Sequence, residues 1–508
     1  MFLVHDMFAD TARQHAGKVA IIADGGEVTW GELDRSADRL ARALQDGGLR
    51  RGDRAVVMMD NSPALVVAMF AILKAGGVFV VVNPTTKADK LAYLLGDSGA
   101  RALVAADRVA RTVVAADAGA LATIWTGSVP ESFPGGRSFE AIVEAEAEPV
   151  LPVPMIDEDL AAIIYTSGST GDAKGVMLTH RNLHHNAWSI STYLGMVPDD
   201  VVACLLPLSF DYGLFQVLMS ARLGCTLLLE RSFAYPMDVM RRIAEHRVTG
   251  LPGVPTIFAT ILGMTTLDDL DLSSVRYLTN TAATLPPAHI VRLQERFTNA
   301  TVFSMYGLTE CTRVSYLDPA KLDAKPTSVG QAMPNTEVYL IDDDGRRVPP
   351  GTPGELVVRG ASVMRGYWNK PEVTAHWLRE GEIQGELVLH TGDQFTMDDD
   401  GDLYFLGRSD DIFKCKGEKV SPKEIEHVLY ELDEVGAAAV VGVPDDIDGM
   451  AIKAIVAPSG RGELDEQAIR RHCRARLESY LVPKVVEIRD ALPETDSGKI
   501  RKASLRPG

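Results

Sequence analysis

Cysteine is scarce in this chain of 508 residues, aromatic residues make up only 6%, and positive charge is outweighed by negative. The five cysteines, Cys204, Cys225, Cys311, Cys415 and Cys473, form no CxxC pair and have no histidine at zinc-ligating spacing. That spacing argues against a zinc site and predicts a reduced, cytoplasmic setting. Acidic residues number 69 against 51 lysines and arginines, a formal charge of -18. A nucleic-acid partner requires a basic face that displaces counterions, so no such partner is expected. An anionic substrate has to be held by local donors, because the global field does not draw it in. Met1 to Asp6 has no basic stretch followed by an apolar run, and no secretory leader is predicted. Uninterrupted apolar runs of membrane length are also missing. Ala64 to Val82 is broken by Lys74 and by Gly76-Gly77, which predicts a buried helix after Ser62-Pro63, a glycine turn and a core strand. No integral membrane segment is expected.

What is present is a globular balance, 46% hydrophobic and 24% charged, in a chain too long for a single core. Apolar runs at 55–59, 78–82, 102–105, 201–206 and 226–230 alternate with helical segments, the rhythm of α/β layers with largely parallel strands. Glu140 to Pro154, rich in Glu and Pro, predicts a surface connection. After Gly407-Arg408 the run Ser409-Asp410-Asp411 opens a compact final stretch, so the expected division is a large domain over 1–408 and a small one over 409–508. In the small domain, Val420 to Glu426 reads as a strand end, a cap and a helix start with Pro422 near the first turn, and 437–443 reads as a buried strand.

The densest chemical signal is Tyr165-Thr166-Ser167-Gly168-Ser169-Thr170-Gly171-Asp172-Ala173-Lys174-Gly175-Val176, preceded by the apolar run 161–164. A strand feeding a loop of small residues lets backbone amides approach phosphate oxygens, the hydroxyls add donors, and Lys174 adds a positive charge. The P-loop of NTPases is absent, because Gly175 and Val176 follow Lys174 and leave no hydroxyl at its magnesium position. An isolated Gly/Ser/Thr loop is more often a linker, but the whole string resembles the signature of the adenylate-forming superfamily. That superfamily includes acyl-CoA synthetases, adenylation domains of peptide synthetases, and luciferases.

Further matches follow in the superfamily's order and extend the resemblance over essentially the whole chain. Met305-Tyr306-Gly307-Leu308-Thr309-Glu310 resembles the motif in which a hydroxyl meets the α-phosphate and a carboxylate meets Mg²⁺, roles implied here for Thr309 and Glu310. Thr391-Gly392-Asp393 resembles the ribose site, and Arg408 matches the arginine that joins it. Asn280 to Thr284 lies where the adenine border falls, with Thr281, Ala282 and Ala283 departing from the usual glycines and alanine in a way that narrows the pocket. Pro493 to Ile500 resembles the last motif and implies that Lys499 is the catalytic lysine. Alone, each string has an ordinary reading: a helix start for Thr309-Glu310, turns for Asp393 and Arg408, a solvated tail for Lys499.

The resemblance implies a large N-terminal α/β domain of layered β-sheets with flanking helices and a small α+β C-terminal lid that swings about a hinge at Asp410. It implies ATP and Mg²⁺, a small carboxylic or amino acid as substrate, and a thiol acceptor. Gly417 to Glu426 looks more like acyl-CoA synthetases than peptide-synthetase domains, which favours CoA; the alternative is the phosphopantetheine of an acyl or peptidyl carrier protein. In Leu206 to Leu214 the acyl pocket is implied, with Phe210 and Tyr212 lining it. Asp211 stands where amino-acid-activating members pair with an α-ammonium, as in free-standing ligases for proline, and equally reads as the cap of a helix starting at Tyr212. An oxygen-using luciferase would share the adenylation step, whereas a non-catalytic sensor would lack Lys499 or Glu310.

Overall fold

The computed structural model describes residues 3–146, 148–166, 173–264, 267–281, 283–408, 411, 413–415, 418–445, 449–462, 464–478, 481–495 and 499–505. Ser62 caps the helix Pro63–Lys74 by accepting from the Leu65 amide at 3.3 Å, with Pro63 in the first turn. That helix is apolar up to Lys74, and Leu65 to Leu73 are all buried against the neighbouring helix Trp30–Asp46 and the sheet. Lys74 at its end is not stranded: its Nζ lies 2.6 Å from both Asp34 and Asp38. Gly76, at φ +86°, makes the turn into the strand Val78–Val81.

All five apolar runs become strands: Arg54–Met58, Val78–Val81, Ala102–Ala106, Val201–Cys204 and Thr226–Leu229. The first three pair in parallel within an eight-stranded sheet, and the last two pair in parallel within a fourteen-stranded one. Helices cover these sheets, and one continuous apolar core runs between them. Two departures from the sequence reading appear. Glu140 to Glu144 belong to a helix, Phe139–Glu144, before the irregular connection begins. Ser421 does not cap the helix Pro422–Leu429; its hydroxyl donates to the Leu406 carbonyl instead, a tertiary partner invisible to local pattern.

The C-terminal region has its own core. Strands Val435–Asp445, Gly449–Pro458 and Val485–Ile488 form a three-stranded sheet covered by the helices Pro422–Leu429 and Glu466–Arg476. Buried Glu426 is held by Lys423 at 2.8 Å and Lys502 at 2.6 Å, and these two cations draw its carboxyl down to about 2 against the cost of burial. All five cysteines are buried, and among the described residues none forms a disulfide. Among the described residues no helix is long and apolar enough to cross a membrane.

Candidate active site

Strand Thr301–Tyr306 delivers Tyr306 to a tight turn that leads back antiparallel into Ser315–Tyr316. The turn is closed by the Thr312 amide on Leu308 O at 2.6 Å and the Val314 amide on Tyr306 O at 3.0 Å. A Cβ on Gly307 would approach Thr312 O to 2.2 Å, so only glycine fits there. Thr312 itself adopts φ +63°, a region that costs a β-branched residue about 1–3 kcal/mol and that the surrounding contacts have to enforce. Thr309 and Glu310 therefore sit on a constrained turn and not at a helix start. The Glu310 backbone accepts the Met364 amide at 2.7 Å, and its Oε1 accepts the Tyr367 hydroxyl at 2.6 Å.

Asp393 lies on the strand Leu387–Met397, in register with Arg408 on Leu403–Arg408. Its Oδ2 accepts the Tyr306 hydroxyl at 2.6 Å. Among the described residues its buried Oδ1 has no hydrogen bond, and Arg408 Nε stands 3.7 Å away. Burial pushes this carboxyl up to about 6, against the pull of Arg408 and the Tyr306 hydroxyl. A buried acceptor without a donor is costly, and the hydroxyls of a ribose are donors of the right kind. Before it, Thr391 and Gly392, at φ +67°, are fixed by Leu356 O and the Glu355 carboxylate. Beyond strand Tyr277–Asn280, Asn280 Nδ2 closes the loop on Ala283 O at 2.9 Å, and the buried Thr281 hydroxyl has no hydrogen-bond partner among the described residues. Ala282 lies outside the described residues.

Lys174 opens the strand Lys174–Thr179, and its Nζ stands 5.6 Å above the centre of the Tyr367 ring. Thr166 closes the preceding strand, with its hydroxyl 3.5 Å from Lys174 O. Ser167, Gly168, Ser169, Thr170 and Gly171 lie outside the described residues, as does Asp410. Next to Asp410, the Asp411 amide turns back onto Arg408 O at 2.9 Å.

Lys499 arrives from the far end of the chain. Thr495 and Lys499 hold each other through the Thr495 amide on Lys499 O at 2.7 Å and the Lys499 amide on Thr495 Oγ1 at 3.1 Å. Its Nζ lies 5.7 Å from the centre of the Phe210 ring, a cation on an aromatic face. Burial lowers its basicity, while Asp211, Asp393 and Glu310 act against that loss. One lysine thus lies in the field of carboxylates from three distant parts of the chain.

Phe210 immediately precedes the helix Asp211–Leu223. The helix Asp211–Leu223 starts one residue earlier than a cap at Asp211 requires. Asp211 is its first helical residue, 6% exposed, and its Oδ1 accepts the adjacent Tyr212 amide at 2.9 Å. The helix can press onto the segment before it because a Cβ on Gly213 would lie 2.5 Å from Pro207 O. Burial raises the Asp211 carboxyl above its ordinary range, and Lys499 and then Arg313 pull it back. Tyr212 donates its hydroxyl to Thr279 O at 2.7 Å, and the Arg313 guanidinium lies 5.2 Å from its ring centre. Arg313 is 2% exposed, and its Nε has no hydrogen-bond partner among the described residues.

Sequence reasoning missed Arg313 and Tyr367. Arg313 lies three residues past Glu310 on the same turn, a signal that was available, whereas Tyr367 is 57 residues from its carboxylate partner. A further acidic group, Asp398, Asp400 and Asp402, is already bridged by Lys325 Nζ at 2.6–2.7 Å from each carboxylate.

The comparisons fit this geometry. A family model described as AMP-binding enzyme matches residues 8–368, and one described as AMP-binding enzyme C-terminal domain matches 424–499. The chain is 36% identical over 497 residues to a feruloyl-CoA synthase of Amycolatopsis sp, covering 97% of this chain and 96% of that protein. It is 34% identical to a long-chain-fatty-acid–CoA ligase of Escherichia coli O6:H1, covering 99% and 93%. The solved structure of the anthranilate CoA ligase AuaEII in complex with anthranoyl-AMP superposes with a TM-score of 0.92 at 26% identity, covering 99% and 96%.

Proposed function

Because the chain belongs to the AMP-binding enzyme family, we propose that it is an acyl-CoA synthetase, which activates a carboxylic acid as its acyl-adenylate and transfers the acyl group to CoA. The observation that carries this reading is Lys499, packed on Phe210 in the common field of Asp211, Asp393 and Glu310. In-line attack of a carboxylate on the α-phosphorus of ATP brings two anions together and expels pyrophosphate. A desolvated lysine between them stabilises the charge that builds on the phosphoryl oxygens.

The other residues divide the binding of ATP. Asp393 Oδ1 and Arg408 take the ribose, and the Thr281–Ala283 loop borders the adenine. Lys174, Thr166 and the loop 167–171 take the phosphates, with Thr309 at the α-phosphate. Glu310 offers one carboxylate on a rigid turn, which suits a Mg²⁺ ion that keeps most of its waters. That ion would neutralise phosphate charge. The mixed anhydride is sensitive to water, so the region 409–508 covers it and then rotates about Asp410 to admit the thiol. The thiolate attacks the acyl carbon, and AMP leaves with the carboxyl-derived oxygen.

CoA is favoured as the acceptor because the relatives are named as CoA ligases and synthases. The second reading, a ligase that loads an amino acid such as proline onto a carrier-protein phosphopantetheine, is favoured by the buried carboxylate of Asp211. A screen of aryl, fatty and amino acids by pyrophosphate release, with CoA or holo carrier protein as acceptor, tests both. CoA-thioester formation from an uncharged acid supports the first reading. Turnover confined to amino acids with a carrier protein overturns it.

A further inference from the structure

Tyr367 touches both halves of the phosphate site. It lies on the short strand Gly366–Tyr367, antiparallel to Lys174–Thr179 with Tyr367 opposite Val176. Its hydroxyl donates to Glu310 Oε1 at 2.6 Å, and its ring lies under Lys174 Nζ at 5.6 Å. The residue is 3% exposed and clamped by its neighbours: the Tyr367 amide donates to Thr374 Oγ1 at 2.8 Å, and the Trp368 amide to Gly175 O at 2.7 Å. Gly366, at φ +140°, has no room for a side chain, since a Cβ there would meet Thr374 Cγ2 at 2.7 Å.

A glutamate that rotates freely presents either oxygen in many directions. Once Oε1 is claimed by a buried phenol, rotation of the carboxylate is restricted, and the second oxygen would be the one offered to a metal. Hydrogen-bond partners behind a metal-binding carboxylate are worth about 10–100-fold in metal affinity. The ring meanwhile gives Lys174 an aromatic face to rest on. Resting on the reading of Glu310 as the magnesium carboxylate and Lys174 as a phosphate cation, we propose that Tyr367 is a positioning residue that orients Glu310 toward the metal and keeps it in register with Lys174.

The test is Tyr367→Phe, which keeps the ring under Lys174 and removes the hydroxyl. Binding of Mn²⁺ to the enzyme·ATP complex is followed by electron paramagnetic resonance, and binding of metal-free ATP by calorimetry, with Glu310→Gln in parallel. The expected result is about 10-fold or more weaker Mn²⁺ binding in Tyr367→Phe, with metal-free ATP affinity and melting temperature near wild type. Wild-type Mn²⁺ affinity in Tyr367→Phe alongside a large loss in Glu310→Gln overturns the proposal and leaves the Glu310 reading standing. Wild-type Mn²⁺ affinity in both variants overturns both. A parallel drop in metal-free ATP affinity overturns the specific link to the metal. A second measurement does not depend on the variant folding: 3-fluorotyrosine at position 367 in the otherwise native enzyme should shift its fluorine resonance when Mg²⁺ joins bound ATP, and an unmoved resonance contradicts the proposal.

Discussion

At the proposed nucleotide end of the site, polar side chains reach one another: Tyr306 meets Asp393 and Tyr367 meets Glu310, each at 2.6 Å. At the proposed acyl end, Asp211 has the Tyr212 amide, and Arg313 Nε is buried with no hydrogen-bond partner among the described residues. The nucleotide end is a set of hydrogen bonds assembled in advance, with one acceptor of Asp393 left for a ligand. The acyl end holds desolvated charge, in which Lys499 and Arg313 offset Asp211 through the local field. A preorganised end can be weakened one bond at a time, whereas removing a group from a charge cluster leaves its partners buried and unpaired.

The largest effect is expected at Lys499, which serves both ends. Lys499→Ala should slow acid-dependent ATP–pyrophosphate exchange by about 10³-fold, roughly 4 kcal/mol, the scale of removing a preorganised group that stabilises the transition state. Transfer from supplied acyl-adenylate to CoA should survive. Exchange near wild type would remove Lys499 from the mechanism.

Next comes the acyl end. If Asp211 meets a substrate ammonium, Asp211→Ala should lower kcat/KM for an amino or imino acid by about 2–5 kcal/mol and leave the deamino analogue nearly unchanged. Equal losses on both substrates would make Asp211 a partner of Lys499 and Arg313 within the protein, and the acid an uncharged one.

The nucleotide end should respond more gently. Asp393→Asn should raise KM for ATP by about 1.5–3 kcal/mol, the worth of hydrogen bonds to a charged acceptor, and 2′,3′-dideoxy-ATP should not feel the change. A drop in pH through about 6 should likewise raise KM for ATP, as Asp393 takes up its proton. The linkage sign for stability is opposite. A carboxyl raised in the folded state binds protons that the unfolded chain has already released. Its contribution therefore declines as pH rises from the ordinary carboxylate range to about 6. The melting temperature of Asp393→Asn should lack that component, the smallest of these effects.

The two ends were also unequally legible. Asp393, Arg408, Thr309, Glu310 and Lys499 stood out because their strings resemble the superfamily's motifs in order, and the structure sets Asp393 opposite Arg408 and puts Glu310 on a constrained turn. Asp211 remained ambiguous, since one residue of helix start separates a cap from a pocket group, and the start at Asp211 depends on how Gly213 packs against Pro207. Tyr367 and the Ser421 hydroxyl were missed because their partners, Glu310 and Leu406 O, become neighbours only after the sheets assemble. The strands and the helix Pro63–Lys74 were readable because burial on all sides leaves an unbroken apolar run.

The most direct test of the chemistry follows an oxygen atom. A substrate acid labelled with ¹⁸O in both carboxyl positions, incubated with enzyme, ATP, Mg²⁺ and CoA, should yield AMP carrying one ¹⁸O and an acyl-CoA retaining the other. Label in orthophosphate, with ADP as the nucleotide product, would mean attack at the γ-phosphorus and would contradict an acyl-adenylate.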